Sequence, residues 1–347
     1  MHRSLSLVLL LTLYSNPAHA ESYKIAGSIA IGGTGHWDYL LADSGDRRLY
    51  VSHNAEVVVI DLDSEKILGK IAVGGFSHGI AVAPDANLGF ITTGGSGTDP
   101  HKYPTEVVSF DLKTLEIKDR IKVGEDPDAI VYDPPSERVF AFNGDISQVT
   151  VINAKTGKIE TIIALGGTPE FSVSDGKGNV YVNLENKGEI AQIDTASLTV
   201  KAHWSIAPCE EPAGLAMDRE NRRLFSTCGN KTMVVVDADS GKVIAALPIG
   251  VHPDGALYDP ETKLAFSSNI DATLTVVRQE GKDKYSVLDT VQTEPGARTM
   301  AMDLKTHTLY LSSAKFGPKP EGSRFPPVVP ETFKVLILKS SAVVNGS

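Results

Sequence analysis

Cysteine is scarce. The 347 residues contain two, Cys209 and Cys228. They form no CxxCH haem motif and no CxxC ligand pair, and HExxH, a P-loop and a G-x-S-x-G elbow are absent as well. The enzyme classes that depend on those motifs are excluded. Positive charge is also in deficit. Lys and Arg total 33 against 43 Asp and Glu, giving a formal net charge of −10, and no Lys/Arg cluster interrupts the acidic background. Such a surface repels phosphate backbones, which disfavours a broad nucleic-acid face. Beyond the N-terminus no run of about 18 apolar residues occurs, so no membrane span is expected. Helical periodicity is missing too. Apolar residues come in short runs, punctuated by the 31 Gly and 19 Pro.

The first twenty residues stand apart. Arg3, the apolar stretch Leu5 to Leu13, and Ala18-His19-Ala20 read as a secretory signal peptide with an A-x-A cleavage site. The alternative, a membrane anchor, needs a longer apolar run. No Cys follows the cleavage site, which argues against a lipoprotein. The mature chain is predicted to begin at Glu21 and to be periplasmic or secreted, with residues 1–20 outside the fold. In that compartment Cys209 and Cys228 suggest a disulfide; two free, half-buried thiols are the alternative.

What the chain does contain is a repeat. "GHWDYLLAD", "FSHGIAVAP", "DPDAIVYDP", "TPEFSVSD", "EPAGLAMD", "HPDGALYDP" and "GARTMAMD" share one register, with the aligned position at 38, 78, 128, 170, 213, 254 and 298. A period in the forties built from short strands is the mark of a β-propeller. Each copy continues into a turn and a second strand such as "RLYVSHN", then a third such as "VVVIDLDS", then a fourth such as "ILGKIAVGG". The last copy has three strands, and "YKIAGSIAIGG" at 23–33 precedes the first. An all-β, seven-bladed propeller of four-stranded antiparallel blades is therefore predicted, one domain over 21–347, closed by pairing 23–33 with 332–340. Loop insertions at 94–106 and 315–331 interrupt the repeat.

Segments such as "LYVSHN" and "VVVIDLDSEKILGKIAVG" resemble YVTN-type β-propeller repeats, as in YncE-like exported bacterial proteins. The resemblance covers nearly all of residues 23–340. It implies a scaffold that binds a ligand or partner. It also admits lactonase, lyase or quinone-dependent dehydrogenase activity, and single-stranded nucleic-acid binding, which the net charge opposes.

In a propeller the innermost strands line a central channel. The shared register then brings Asp38, His78, Asp128, Glu170, Asp254 and Arg298 to one mouth, with His36 and His252 two residues before their neighbours. The second-strand ends add His53, Asn54, Asn143, Asn183 and Asn269. So many carboxylates repel one another and call for positive charge. Arg298 supplies one. A divalent metal ion on His78, Asp128, Glu170 and Asp254 is a second source, although Asp at this register also caps turns. The insertions could lid the mouth with His101, Tyr103, Lys315 and Arg324, or be tolerated surface loops. Trp37 stacks on a ligand or wedges between blades. The expected protein is a monomeric, non-enzymatic scaffold that binds a small molecule, metal ion or protein at the mouth. The alternative is a metal-assisted hydrolase or lyase, or a quinone-dependent oxidoreductase, with His78, His252 or Glu170 as acid or base. The catalytic residues and any cofactor are left open.

Overall fold

The computed structural model describes residues 23–95, 103–322 and 326–340; the expected leader lies outside them. Seven four-stranded antiparallel sheets form the blades of a propeller. Blade 1 is typical, with an inner strand Trp37–Asp43, then Arg48–His53, Glu56–Asp61 and an outer strand Ile67–Ala72. Burial falls off outwards. The third strand buries Val57, Val58, Val59 and Ile60, whereas the outer strand buries only Ile71. Blades stack face to face, so the middle strands are covered on both sides. That is why they read as unbroken apolar runs rather than as alternating ones.

The ring closes as the sequence predicts. Tyr23–Ala30 runs antiparallel to Lys334–Ser340, from Tyr23 opposite Ser340 to Ala30 opposite Lys334, with one shift of register between Ile25 and Gly27. It is the outer strand of blade 7, so the two chain ends share one sheet. Trp37 is buried at the junction of blades 7 and 1, stacked on Phe333 at 5.0 Å and packed near Tyr310 and Ile337. Its role is the wedge.

The inner strands carry a shared irregularity. In blade 1, Trp37 pairs with His53 and Leu40 with Val51, so Asp38 and Tyr39 together face Ser52. The same two-against-one bulge places His78 and Gly79 opposite Thr92, Asp128 and Ala129 opposite Phe142, Glu170 and Phe171 opposite Asn183, and Ala213 and Gly214 opposite Thr227. In blade 6 the extra residue is Asp254. A bulge bends its strand and re-aims a side chain. Here it turns each register residue toward the channel.

The residues facing the bulges then tie one blade to the next. Thr92 Oγ1 donates to the Asp128 carbonyl at 2.6 Å, and Asn183 Nδ2 to the Ala213 carbonyl at 2.8 Å. Ser52 donates to the Ser77 carbonyl and Ser268 to the Arg298 carbonyl. Thr299 Oγ1 ties blade 7 to the Asp38 carbonyl of blade 1 at 2.7 Å. These donors hold the backbone at or next to the mouth residues.

Cys209 and Cys228 are bonded to each other, with Cα atoms 5.4 Å apart and a separation of 19 positions in sequence. Both are buried. The bond fixes the loop before the inner strand of blade 5 to the end of that blade's second strand.

Deleting residues 21–33 should expose the edge of Lys334–Ser340 and abolish cooperative melting or cause aggregation; unchanged melting would refute the closure. Replacing both cysteines by serine should lower unfolding stability by about 3 kcal/mol, read from denaturant midpoints against the oxidised protein.

Candidate functional site

Asp38, Asp128, Glu170, His252, Asp254 and Arg298 line one cavity of about 440 Å³ at the end of the channel. His78 joins them through its neighbours. Its Nδ1 lies 2.8 Å from Asp38 Oδ2 and 3.3 Å from Asp128 Oδ1, so blade 2 bridges the carboxylates of blades 1 and 3. Phe76 meets the imidazole edge-on at 4.9 Å between ring centres. Arg298 Nη1 holds Asp254 Oδ2 at 3.0 Å, which links blades 7 and 6. His36 is exposed beside Arg298 and is not part of the cavity wall.

Three wall residues were not singled out as site residues from the sequence. Tyr39 follows Asp38 in the same bulge, and its hydroxyl donates to Asp128 Oδ2 at 3.4 Å. Its ring lies 4.4 Å from that of Phe171, which reaches across the channel from blade 4. The signal was present. The position after the mouth residue reads Tyr39, Gly79, Ala129, Phe171, Gly214, Gly255 and Thr299. Only two of these are large, and they meet. Together they plug the channel under the mouth, which makes the cavity a cup rather than a tunnel. Glu185 and Glu211 also line it, from the loop after a second strand and the loop before an inner strand.

The second-strand ends do not join the mouth as expected. His53 is buried and stacks on Phe333 at 4.2 Å. Asn143, Asn183 and Asn269 are fully buried. Asn183 and Asn269 spend their amides on backbone carbonyls, and the Asn143 carbonyl accepts from Thr150. The reason is register: these residues face or flank the bulge, under the inner strand rather than above it. Neither insertion lines the cavity among the described residues. The segment around Phe316 folds back against Trp37, with ring centres 5.9 Å apart. His101 and Arg324 lie outside the described residues.

The electrostatics follow from crowding. Burial alone would lower the His78 pKa, but hydrogen bonds to Asp128 and Asp38 outweigh it and raise it to about 10. His78 is therefore an imidazolium clamped between two carboxylates. Burial, then Asp128 and Asp254, push Glu170 well above the usual carboxylate range. Asp128 is raised by burial and Asp38, against the pull of His78. Burial also raises Asp254, and Arg298 opposes it. The carboxylates are thus more costly to ionise here than in water.

Of the expected metal set, His78 and Asp128 converge with Asp38, their ligand atoms lying within 4.8 Å of one another. Glu170 and Asp254 share the cavity but fall outside that trio. Tetrahedral zinc ligands at about 2.0–2.1 Å from the ion lie about 3.3 Å apart. The Asp38 contact at 2.8 Å is a hydrogen-bond distance, so an ion would have to spread this pair and displace the imidazole proton.

Comparison with known proteins agrees with the repeat. The chain is 25% identical over 232 residues to the uncharacterized protein YncE of Salmonella typhi. The chain is a seven-bladed propeller that is similar to YncE over that stretch. The match covers 59% of this chain and 62% of YncE, less than two thirds of that protein's length. No protein-family model matches. Among solved structures, hydrazine synthase of Kuenenia stuttgartiensis is similar with a TM-score of 0.67 at 16% identity, over 86% of this chain and 95% of that one. At that identity the likeness is one of fold. For this propeller the chemistry must be read from the mouth.

Two pH predictions follow from the signs of these shifts. The raised His78 pKa gives stability that is fully present below about 6.5 and lost as pH rises through about 10. His78→Gln should cost about 3 kcal/mol at neutral pH, and its deficit against wild type should shrink as pH rises through about 10. Glu170→Gln should raise the melting temperature at pH 7, because its ionised form is disfavoured in the folded state. That gain should disappear below about pH 4, where glutamate is protonated in the unfolded chain as well.

Proposed function

We propose that this YncE-like propeller is an exported, non-enzymatic scaffold whose channel mouth binds a small cationic ligand. One observation carries the reading. The cavity is lined by six carboxylates, Asp38, Asp128, Glu170, Glu185, Glu211 and Asp254, against the single guanidinium of Arg298. The His78 imidazolium adds one charge beside them. A cation entering the cup relieves the mutual repulsion that raises Glu170, Asp128 and Asp254. Two features support the non-catalytic part. The histidine best placed for proton transfer is locked between two carboxylates, and the described wall carries no serine or cysteine nucleophile. Export is supported by the leader-like first twenty residues and by a buried disulfide, which suits an oxidising compartment.

A second reading, a divalent metal on Asp38, His78 and Asp128, is favoured by the convergence of their ligand atoms. Both readings predict cation binding at the mouth. Calorimetric titration of the mature protein with inorganic and organic cations is expected to show binding that weakens in Asp128→Asn. If no cation of either kind binds, the reading is wrong. N-terminal sequencing of the exported protein is expected to begin at Glu21; a retained residue 1 would refute the cleavage.

A further inference from the structure

We infer that the cup takes an organic ammonium ion, a protonated amine on a short apolar body, rather than a bare metal ion. The inference rests on the reading of the mouth as a cation site and narrows it to a ligand class.

Size is the first argument. A cavity of about 440 Å³ falls within the range of about 300–1,000 Å³ typical of pockets for small organic molecules. A single water-sized occupant fills about 30 Å³. The second argument is that the cup is not lined by charge alone. Asp38, Asp128 and Glu170 come from blades 1, 3 and 4. On blades 5 and 6, Ala213, Gly229, Pro253 and Ile270 add uncharged surface between Glu211, His252 and Asp254. Ala213 is the one uncharged residue at the register position. An inorganic ion gains nothing from an apolar surface, whereas an alkyl group gains by being covered.

The third argument concerns which carboxylates are committed. Asp38 is bound to His78 at 2.8 Å, and Asp254 to Arg298 at 3.0 Å. Glu170 is half-buried, makes no hydrogen bond or ion pair among the described residues, and lines the cavity. It is a half-buried acceptor without a donor, and a protonated amine supplies one. The Tyr39 ring, backed by Phe171, adds an aromatic surface on the cup floor against which an ammonium group is favourable. A ligand with its amine at Glu170 over Tyr39 and its apolar body along Pro253 and Ile270 meets all of these surfaces at once.

The test is calorimetry on the mature protein with n-butylammonium, choline, Ca²⁺, Zn²⁺ and uncharged n-butanol. Butylammonium or choline should bind and butanol should not. Glu170→Gln should weaken ammonium binding by about tenfold or more, the worth of a charge-assisted hydrogen bond. Ile270→Ser should weaken the organic ligands severalfold and leave any inorganic-ion signal unchanged. Melting curves of both variants guard against unfolding as the cause, and Glu170→Gln is expected to melt above wild type. Binding by Ca²⁺ or Zn²⁺ alone overturns the organic-ligand inference and leaves the cationic mouth standing. No binding by any cation overturns both. Equal affinity for butanol, or ammonium binding that Glu170→Gln leaves intact, also overturns the inference.

Discussion

The bulge at the start of six of the seven inner strands is the constraint on which the mouth depends. It sets two residues against one, so two consecutive side chains reach the channel where a regular strand would offer one. Asp38 and Tyr39 show the result. Both line the cup, and one supplies charge while the other supplies the floor. The bulge leaves a backbone carbonyl free of the ladder, and a buried carbonyl without a donor is costly. The neighbouring blade supplies the donor: Thr92 serves Asp128, Asn183 serves Ala213 and Thr299 serves Asp38. One set of hydrogen bonds thus satisfies the bulge, joins the blades and fixes the height of the mouth residues.

Blade 3 departs from this rule in an instructive way. Phe142 stands where the other blades carry Ser52, Thr92 or Asn183, so it has no donor to offer blade 4. The adjacent Asn143 accepts from Thr150, while its own amide nitrogen is buried without a partner. The junction of blades 3 and 4 relies on packing instead, with Phe140, Phe142, Val180 and Val182 in one core cluster. Blade 5 is a second exception, since Thr227 bonds Gly214 of its own blade rather than blade 6.

The fold was legible because it repeats. Seven copies of one pattern average out local ambiguity, and the missing strand of the last copy identifies its partner at the other chain end. The convergence of Asp38, His78, Asp128 and Arg298 was legible for the same reason, since equal register in a closed ring means equal height. Interactions within a level were not. That His78 would bridge the blades on either side, and that Tyr39 would cross to Phe171, depends on rotamers and on channel width. The asparagines misled because a polar residue at a strand end suits a loop or a buried tether equally well. Only the bulge register separates the two, and it is a property of paired strands.

The mouth is a place where the fold carries a cost that the rest of the chain does not share. On the outer surface Asp61, Asp111, Asp194 and Asp237 each accept backbone N–H donors in turns, and each is held below the usual carboxylate range. Those carboxylates stabilise their own loops. Glu170 has the same chemistry and the opposite balance, raised by burial and by its acidic neighbours with no backbone donor in return. Stability alone would favour glutamine there. A carboxylate that weakens the folded state, in a cavity that also offers uncharged surface at Pro253 and Ile270, is what the proposed ammonium ligand requires.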